Sequence, residues 1–137
     1  MANTFKAPFV QTNKNEQAVV TAIPADITAA LPTNLSLITT AGADGALLTK
    51  LSAIPRATVT ATCLYLFRSS DGGTTAELIK SVLMEAHTVA ATTAIPSTDF
   101  GYTPEAPLRL EANERLYVGI GVALASGIVF ESESGDF

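Results

Sequence analysis

Residues 57–88 read ATVTATCLYLFRSSDGGTTAELIKSVLMEAHT and decide the fold of this chain. The first part alternates with a period of two, with Cys63 and Phe67 on one face and Leu64 on the other. Such alternation, in a segment rich in Thr, Val and Tyr, is typical of a half-buried strand. Residues 71–73, Asp-Gly-Gly, tolerate a positive φ and allow the chain to reverse. The stretch therefore predicts a long central β-hairpin.

The rest of the chain predicts further short strands separated by turn residues. One alternative stays open inside the hairpin: its second arm also fits a helical stripe, and the alternative there is one helical turn near residues 75–80. A long loop rich in Pro and Thr follows the hairpin, and Phe100 and Tyr102 are expected to pin it to the domain. The other predicted strands are residues 16–23, 34–40, 46–54 and 128–132, together with a second hairpin over residues 107–124.

These elements predict an all-β fold, namely an antiparallel β-sandwich or jelly-roll-like single domain formed by residues 16–137. Residues 1–15 are predicted to form an extended N-terminal arm, because no helical or strand period is sustained there. The aromatic side chains of this arm have two possible uses, since they can pack onto their own domain or dock onto a neighbouring protein. The acidic end of the chain, residues 133–137, is predicted to be a second loose end.

Composition excludes several classes of function. The chain has 137 residues and a net charge of −5, and its basic residues are scattered, so a nucleic-acid partner is not expected. The only cysteine, Cys63, excludes an internal disulfide and is predicted to be a buried, inert thiol. No signal peptide or membrane-spanning run is apparent, which predicts a soluble protein made in the cytoplasm, without a membrane partner.

No group of residues predicts catalysis. His87 is the only histidine, and although Glu85 precedes it by two positions on the same strand face, a lone strand histidine is expected to be structural. Zinc would need several His or Cys ligands. The acidic side chains that could form a glycosidase pair lie mostly at turns or termini, where solvated acids are expected. We therefore expect no enzymatic activity, no catalytic residue, no cofactor and no metal; the acids considered for the pair are Glu111, Glu114, Glu131 and Glu133.

Four segments together resemble small virion-associated proteins of tailed bacteriophages and prophages. They are MANTFKAPFVQ at residues 1–11, LYLFRSSDGGTT at 64–75, PLRLEANERLYVG at 107–119, and the ending at 127–137. The resemblance implies a capsid decoration (cement) protein, which binds the outer surface of the major capsid protein shell as a homotrimer and stabilises it. It also implies that the protein is located on the virion, after synthesis in the host cytoplasm.

Aromatic and apolar residues of the arm, the long loop and the C-terminus are the predicted contacts with other proteins, because aromatic side chains bury a large area at small entropic cost. Two other functions stay open: a tail, fibre or head–tail junction component, and a receptor- or carbohydrate-binding module. The chain has no Trp to form a sugar platform, which disfavours the second of these. The predicted interface residues are Phe5, Pro8, Phe9, Val10, Phe100, Tyr102 and Phe137.

Overall fold

A computed structural model describes residues 10–137 and shows an all-β fold, without a helix in those residues, as the sequence predicts. The strands form two antiparallel sheets that pack against each other as a sandwich. The helical turn considered near residues 75–80 is replaced by the start of a strand. The nine strands are β1 (Thr12–Val20), β2 (Ser36–Thr40), β3 (Ala46–Pro55), β4 (Thr62–Ser69), β5 (Glu77–Met84), β6 (Thr98–Asp99), β7 (Leu108–Leu110), β8 (Arg115–Ile120) and β9 (Ile128–Asp136).

The first sheet has the order β1-β9-β3-β6, with β7 also paired to β3, and the second has the order β2-β8-β4-β5. The predicted central hairpin is confirmed, since β4 and β5 pair antiparallel from Thr62 with Met84 to Arg68 with Glu77. Its two arms, β4 and β5, are neighbouring strands of the second sheet, and β5 lies at the edge of that sheet.

The core lies between the sheets and consists of fully buried aliphatic and aromatic side chains. Each such side chain stabilises the fold by roughly 1.5–3 kcal/mol relative to an exposed position. Alternation along the strands supplies these side chains, because every second residue of a strand points to the same face. The largest of them that belong to this core are Ile38, Leu48, Leu51, Leu64, Leu66, Met84, Phe100, Leu110, Leu116, Ile120 and Phe130.

The turn between β4 and β5 has positive φ angles at the glycines of residues 71–73, as the sequence predicts. Gly72 and Gly73 have φ values of 75° and 94°. The Asp71 carboxylate accepts hydrogen bonds from the Thr75 hydroxyl at 2.6 Å and the Thr75 backbone N–H at 2.9 Å. These bonds, joined by one from the Ser69 hydroxyl, lower the pKa of Asp71 to about 2. The turn is therefore fixed by its own side chains as well as by its glycines.

The prediction that Cys63 is buried is wrong. Leu64 and Leu66 face the core, and Cys63 is exposed on the opposite face of β4. The physical reason is that two leucine side chains have more apolar area than one thiol group, so that burying the leucines stabilises the fold more. Phe67 lies on the outward side with Cys63 and is nevertheless buried. Its ring and the Leu35 side chain both lie close to Gly119 in the neighbouring strand β8.

The predicted hairpin over residues 107–124 is also wrong in its pairing. β7 pairs with β3 in the first sheet, whereas β8 pairs with β2 and β4 in the second. The turn itself lies where it was predicted, with Asn113 at a φ of 61° and the Glu114 carboxylate accepting the Glu111 N–H at 2.6 Å. This turn therefore carries the chain from one sheet to the other instead of joining two paired strands.

Both ends of the domain contain more strand than predicted. β1 begins at Thr12, within the predicted arm, and ends at Val20, before the predicted end at residue 23. Residues 133–136, predicted as a loose end, belong to β9, which pairs with β1 on one side and β3 on the other. The reason is an alternation of Glu and Ser, in which Ser132 and Ser134 point into the sandwich while Glu131 and Glu133 point to solvent.

Candidate protein-interaction surface

One side of the sandwich is closed by polar contacts between β1, β2 and β9. Lys14 Nζ donates a hydrogen bond to the Thr40 carbonyl oxygen at 2.6 Å and lies 3.1 Å from Asp136 Oδ1. Next to it, the Thr39 hydroxyl donates to Glu16 Oε1 at 2.9 Å. We call this set of contacts the seam. It joins the β1 edge of the first sheet to the β2 edge of the second.

The opposite side of the sandwich is open along β5. Within residues 10–137, β5 forms backbone hydrogen bonds with β4 alone. Three large apolar side chains of this strand are exposed, namely Leu78 at 38%, Ile79 at 36% and Leu83 at 59%. An exposed edge strand presents unpaired backbone groups to other chains, and proteins usually protect it with charged side chains or cover it.

Lys80, in the middle of β5, does not extend its charge over this edge. Its Nζ atom lies 4.7 Å from the centroid of the Tyr102 ring, in a cation–π contact on the inner side of the strand. A β-bulge at Ile79 interrupts the ladder between β4 and β5, since Leu66 pairs with Lys80 and Phe67 pairs with Leu78. Residues 80–84 therefore form the regular part of the open edge.

The exposed apolar surface continues from the edge onto the outer face of the second sheet. Leu83 is directly opposite Cys63 in the ladder, and both side chains are exposed. The next residue on that face of β4, Tyr65, is half-buried and contacts Phe67 edge-to-face, with ring centroids 6.2 Å apart. Sequence reasoning alone did not identify this exposed apolar surface. A signal for it exists, because the adjacent apolar pairs at 78–79 and 82–83 indicate that β5 has apolar residues on both faces.

A cleft of about 270 Å³ opens beside the C-terminal end of β5. One wall consists of residues 83–85 and His87, and the other of Pro55 and residues 96–98. His87 is held by its backbone, which exchanges hydrogen bonds of 2.9 and 3.0 Å with Val59. Its Nε2 atom is buried and has no hydrogen-bond partner in the part of the chain that the structure describes. No hydrogen bond or ion pair within residues 10–137 joins His87 to Glu85.

Acidic side chains stand at both ends of the open edge. Glu77 at the start of β5 and Glu85 just beyond its end are exposed, and neither forms an ion pair with another residue in the range 10–137. Close to Glu77, the Arg68 Nε atom lies 3.5 Å from Oε2 of Glu114, whose carboxylate is almost fully buried. Since Arg68 is already bound to Glu114, the edge has a net negative charge at each end.

The structure places two of the predicted interface residues inside the long loop, as anchors of that loop. Phe100 is a core residue with 1% of its surface exposed, and its ring packs against Phe130 at a centroid distance of 6.2 Å. It therefore has no surface left for a partner. Tyr102 is half-buried under Lys80, and burial raises the pKa of its hydroxyl, partly offset by the charge of Arg68.

Val10 and Phe137, predicted from opposite ends of the chain, both lie at the same end of the first sheet. The Val10 side chain packs on Gly135, and the Phe137 N–H donates to the Gly45 carbonyl oxygen at 3.2 Å. The Arg109 guanidinium lies 5.3 Å from the centroid of the Phe137 ring. Both side chains are half-buried. The remaining predicted interface residues, Phe5, Pro8 and Phe9, lie outside the described residues.

The acidic side chains considered for a glycosidase pair divide between two elements, with Glu111 and Glu114 in the turn before β8 and Glu131 and Glu133 on the outward face of β9. Between Val10 and the C-terminus, no three His, Cys, Asp or Glu side chains are grouped so that they could hold a metal ion. The same part of the chain has no helix long and apolar enough to cross a membrane.

Comparisons of the chain with protein-family models, with curated proteins and with solved structures gave no match. Its function is therefore inferred from its own residues and geometry.

Proposed function

We propose that this protein is a non-enzymatic structural protein of a tailed-phage virion, and that it is a decoration protein bound to the outer surface of the capsid shell. Its partners are then the major capsid protein and other copies of itself in a homotrimer, and its location is the virion surface. The resemblance of four sequence segments to small virion-associated proteins supports this role.

The structural observation that carries the proposal is the open side of the sandwich. A well-packed domain presents an edge strand, three exposed apolar side chains and an adjoining cleft on one side. Exposed apolar surface of this kind is typical of sites that bind other proteins. On a shell, many copies meet a repeated lattice, so that modest contacts at each copy add up to firm attachment.

Electron cryomicroscopy of virions from the phage or prophage that encodes this protein tests the proposal. We expect its density on the outside of the shell, repeated over the icosahedral lattice, with three copies around each binding position. Copies confined to one vertex would instead identify a tail, fibre or head–tail junction component. Particles without the protein would show that the virion role is wrong.

A further inference from the structure

We propose that β5 binds an extended segment of a partner protein as an additional strand, and that this segment has apolar residues in its middle and Lys or Arg at both ends. The inference rests on the proposed function in that the segment would belong to the shell protein. The chemistry of the segment, however, follows from β5 and its neighbours.

The backbone of β5 selects the conformation of the partner. Residues 80–84 form a regular edge of about 17 Å, at 3.4 Å per residue. Alternate N–H and C=O groups of such an edge point away from the sheet, and a further strand satisfies them in a ladder. The only charged side chain in this part, Lys80, is turned towards Tyr102 and leaves the ladder positions accessible.

The side chains around β5 select an apolar middle for the segment. Leu83 is the most exposed large apolar residue of residues 10–137, and a strand beside it would cover it. The cleft next to Leu83, between β5 and Pro96, has room for one apolar side chain of the added strand. Strand-addition sites commonly combine main-chain hydrogen bonds with a pocket of this kind, and the pocket gives specificity.

Charge argues against a second copy of this chain as the added strand in one register of self-pairing. In an antiparallel self-pairing that sets Leu83 opposite Ile79, Glu77 of one copy stands opposite Glu85 of the other at both ends. Like charges directly opposite each other destabilise a strand pair. The two exposed glutamates instead complement a segment whose ends are cationic, and this complementarity would also speed association.

Two synthetic ten-residue peptides test the inference, with the same alternating Val and Thr in the middle and either Lys or Glu at both ends. We expect the Lys-ended peptide to bind the full chain at least tenfold more tightly than the Glu-ended peptide. In the double variant E77K/E85K this preference should reverse. E131K/E133K is the matched control, because it changes net charge equally at two exposed glutamates on the outward face of β9, in the other sheet, and should keep the wild-type preference.

Hydrogen exchange locates the bound peptide. Slower exchange of the outward-pointing amides of residues 80–84 supports strand addition, with circular dichroism showing that each variant keeps its fold. Protection confined to other strands overturns the inference, and so does equal binding of both peptides to wild type and E77K/E85K. Dimerisation of the free chain through β5 would also overturn it, in favour of a second copy.

Decoration of capsids separates this inference from the proposed function. If wild-type protein binds capsids and E77K/E85K binds them at least tenfold more weakly, both proposals are supported. If both bind equally well, the inference is overturned and the decoration role stands. If wild-type protein does not bind capsids, the decoration role is wrong, and the peptide titration alone decides the chemistry of β5.

Discussion

Buried hydroxyl groups differ in this sandwich according to whether they have a partner. The Ser132 and Ser134 hydroxyls lie in the interior face of β9 and have no hydrogen-bond partner among residues 10–137. The Thr39 hydroxyl is equally buried, but it donates to Glu16 at 2.9 Å. A buried hydroxyl without a partner loses its hydrogen bonds to water and gains none in the protein. A paired hydroxyl replaces the lost hydrogen bonds with one inside the protein.

We therefore expect opposite effects from two conservative substitutions. Ser132→Ala should raise the free energy of unfolding by about 1 kcal/mol, because it removes an unpaired buried hydroxyl. Thr39→Val should lower it by about 1 kcal/mol, since it removes the hydrogen bond from the buried Thr39 to Glu16. Urea denaturation followed by circular dichroism measures both changes. A destabilised Ser132→Ala would show that this hydroxyl is paired, for example by a buried water.

At the scale of the elements, the seam between β1, β2 and β9 is the contact that links the two sheets on their closed side. Lys14 reaches both a carbonyl oxygen of β2 and a carboxylate of β9, and the side chains of Lys14 and Asp136 are each 21% exposed. Lys14→Met keeps the aliphatic stem and removes the charge. We expect the free energy of unfolding to fall by about 1–2 kcal/mol, measured by urea denaturation, because charged hydrogen bonds at a partly buried site are lost.

Lys50→Met is the matched control for the seam. Lys50 lies 4.0 Å from Glu133 on the outer face of the first sheet, and both side chains are about half exposed. Solvent screens such a pair, so this substitution should change stability by less than about 0.5 kcal/mol. Equal losses in the two variants would show that the seam contributes no more than a surface ion pair.

Local chemistry in the sequence predicts the turns and strands but not which strands pair. The Asp-Gly-Gly turn at residues 71–73 and the alternation around it identify the β4–β5 hairpin, whose pairing is local. The turn at Asn113 is equally clear, yet the strands on either side of it enter different sheets. Pairing of β9 with β1 and β3 depends on contacts between residues far apart in the chain, which no local pattern specifies.

The whole molecule has a closed side and an open side, and only the complete topology shows which is which. The exposure of Leu83 follows from the position of β5 at the end of the second sheet, and strand order is not visible in its sequence. The interface residues predicted from the sequence are aromatic and apolar side chains in loops or termini. That criterion selects Phe100, which is buried in the core, and it does not select the exposed leucine and isoleucine side chains of β5.

The N-terminal arm provides the last prediction for the whole molecule. Deletion of residues 1–10 should leave the sandwich folded, because β1 begins at Thr12 and Val10, the one deleted residue that the structure describes, is not part of the buried core. It should abolish attachment to capsids, because Phe5 and Phe9 are the predicted anchors of the arm. Sedimentation with capsids measures attachment, and circular dichroism checks the fold. The full-length variant Phe5→Ser with Phe9→Ser keeps the arm length and should show the same loss. Capsids decorated by the truncated protein at the full-length level would contradict the predicted role of the arm.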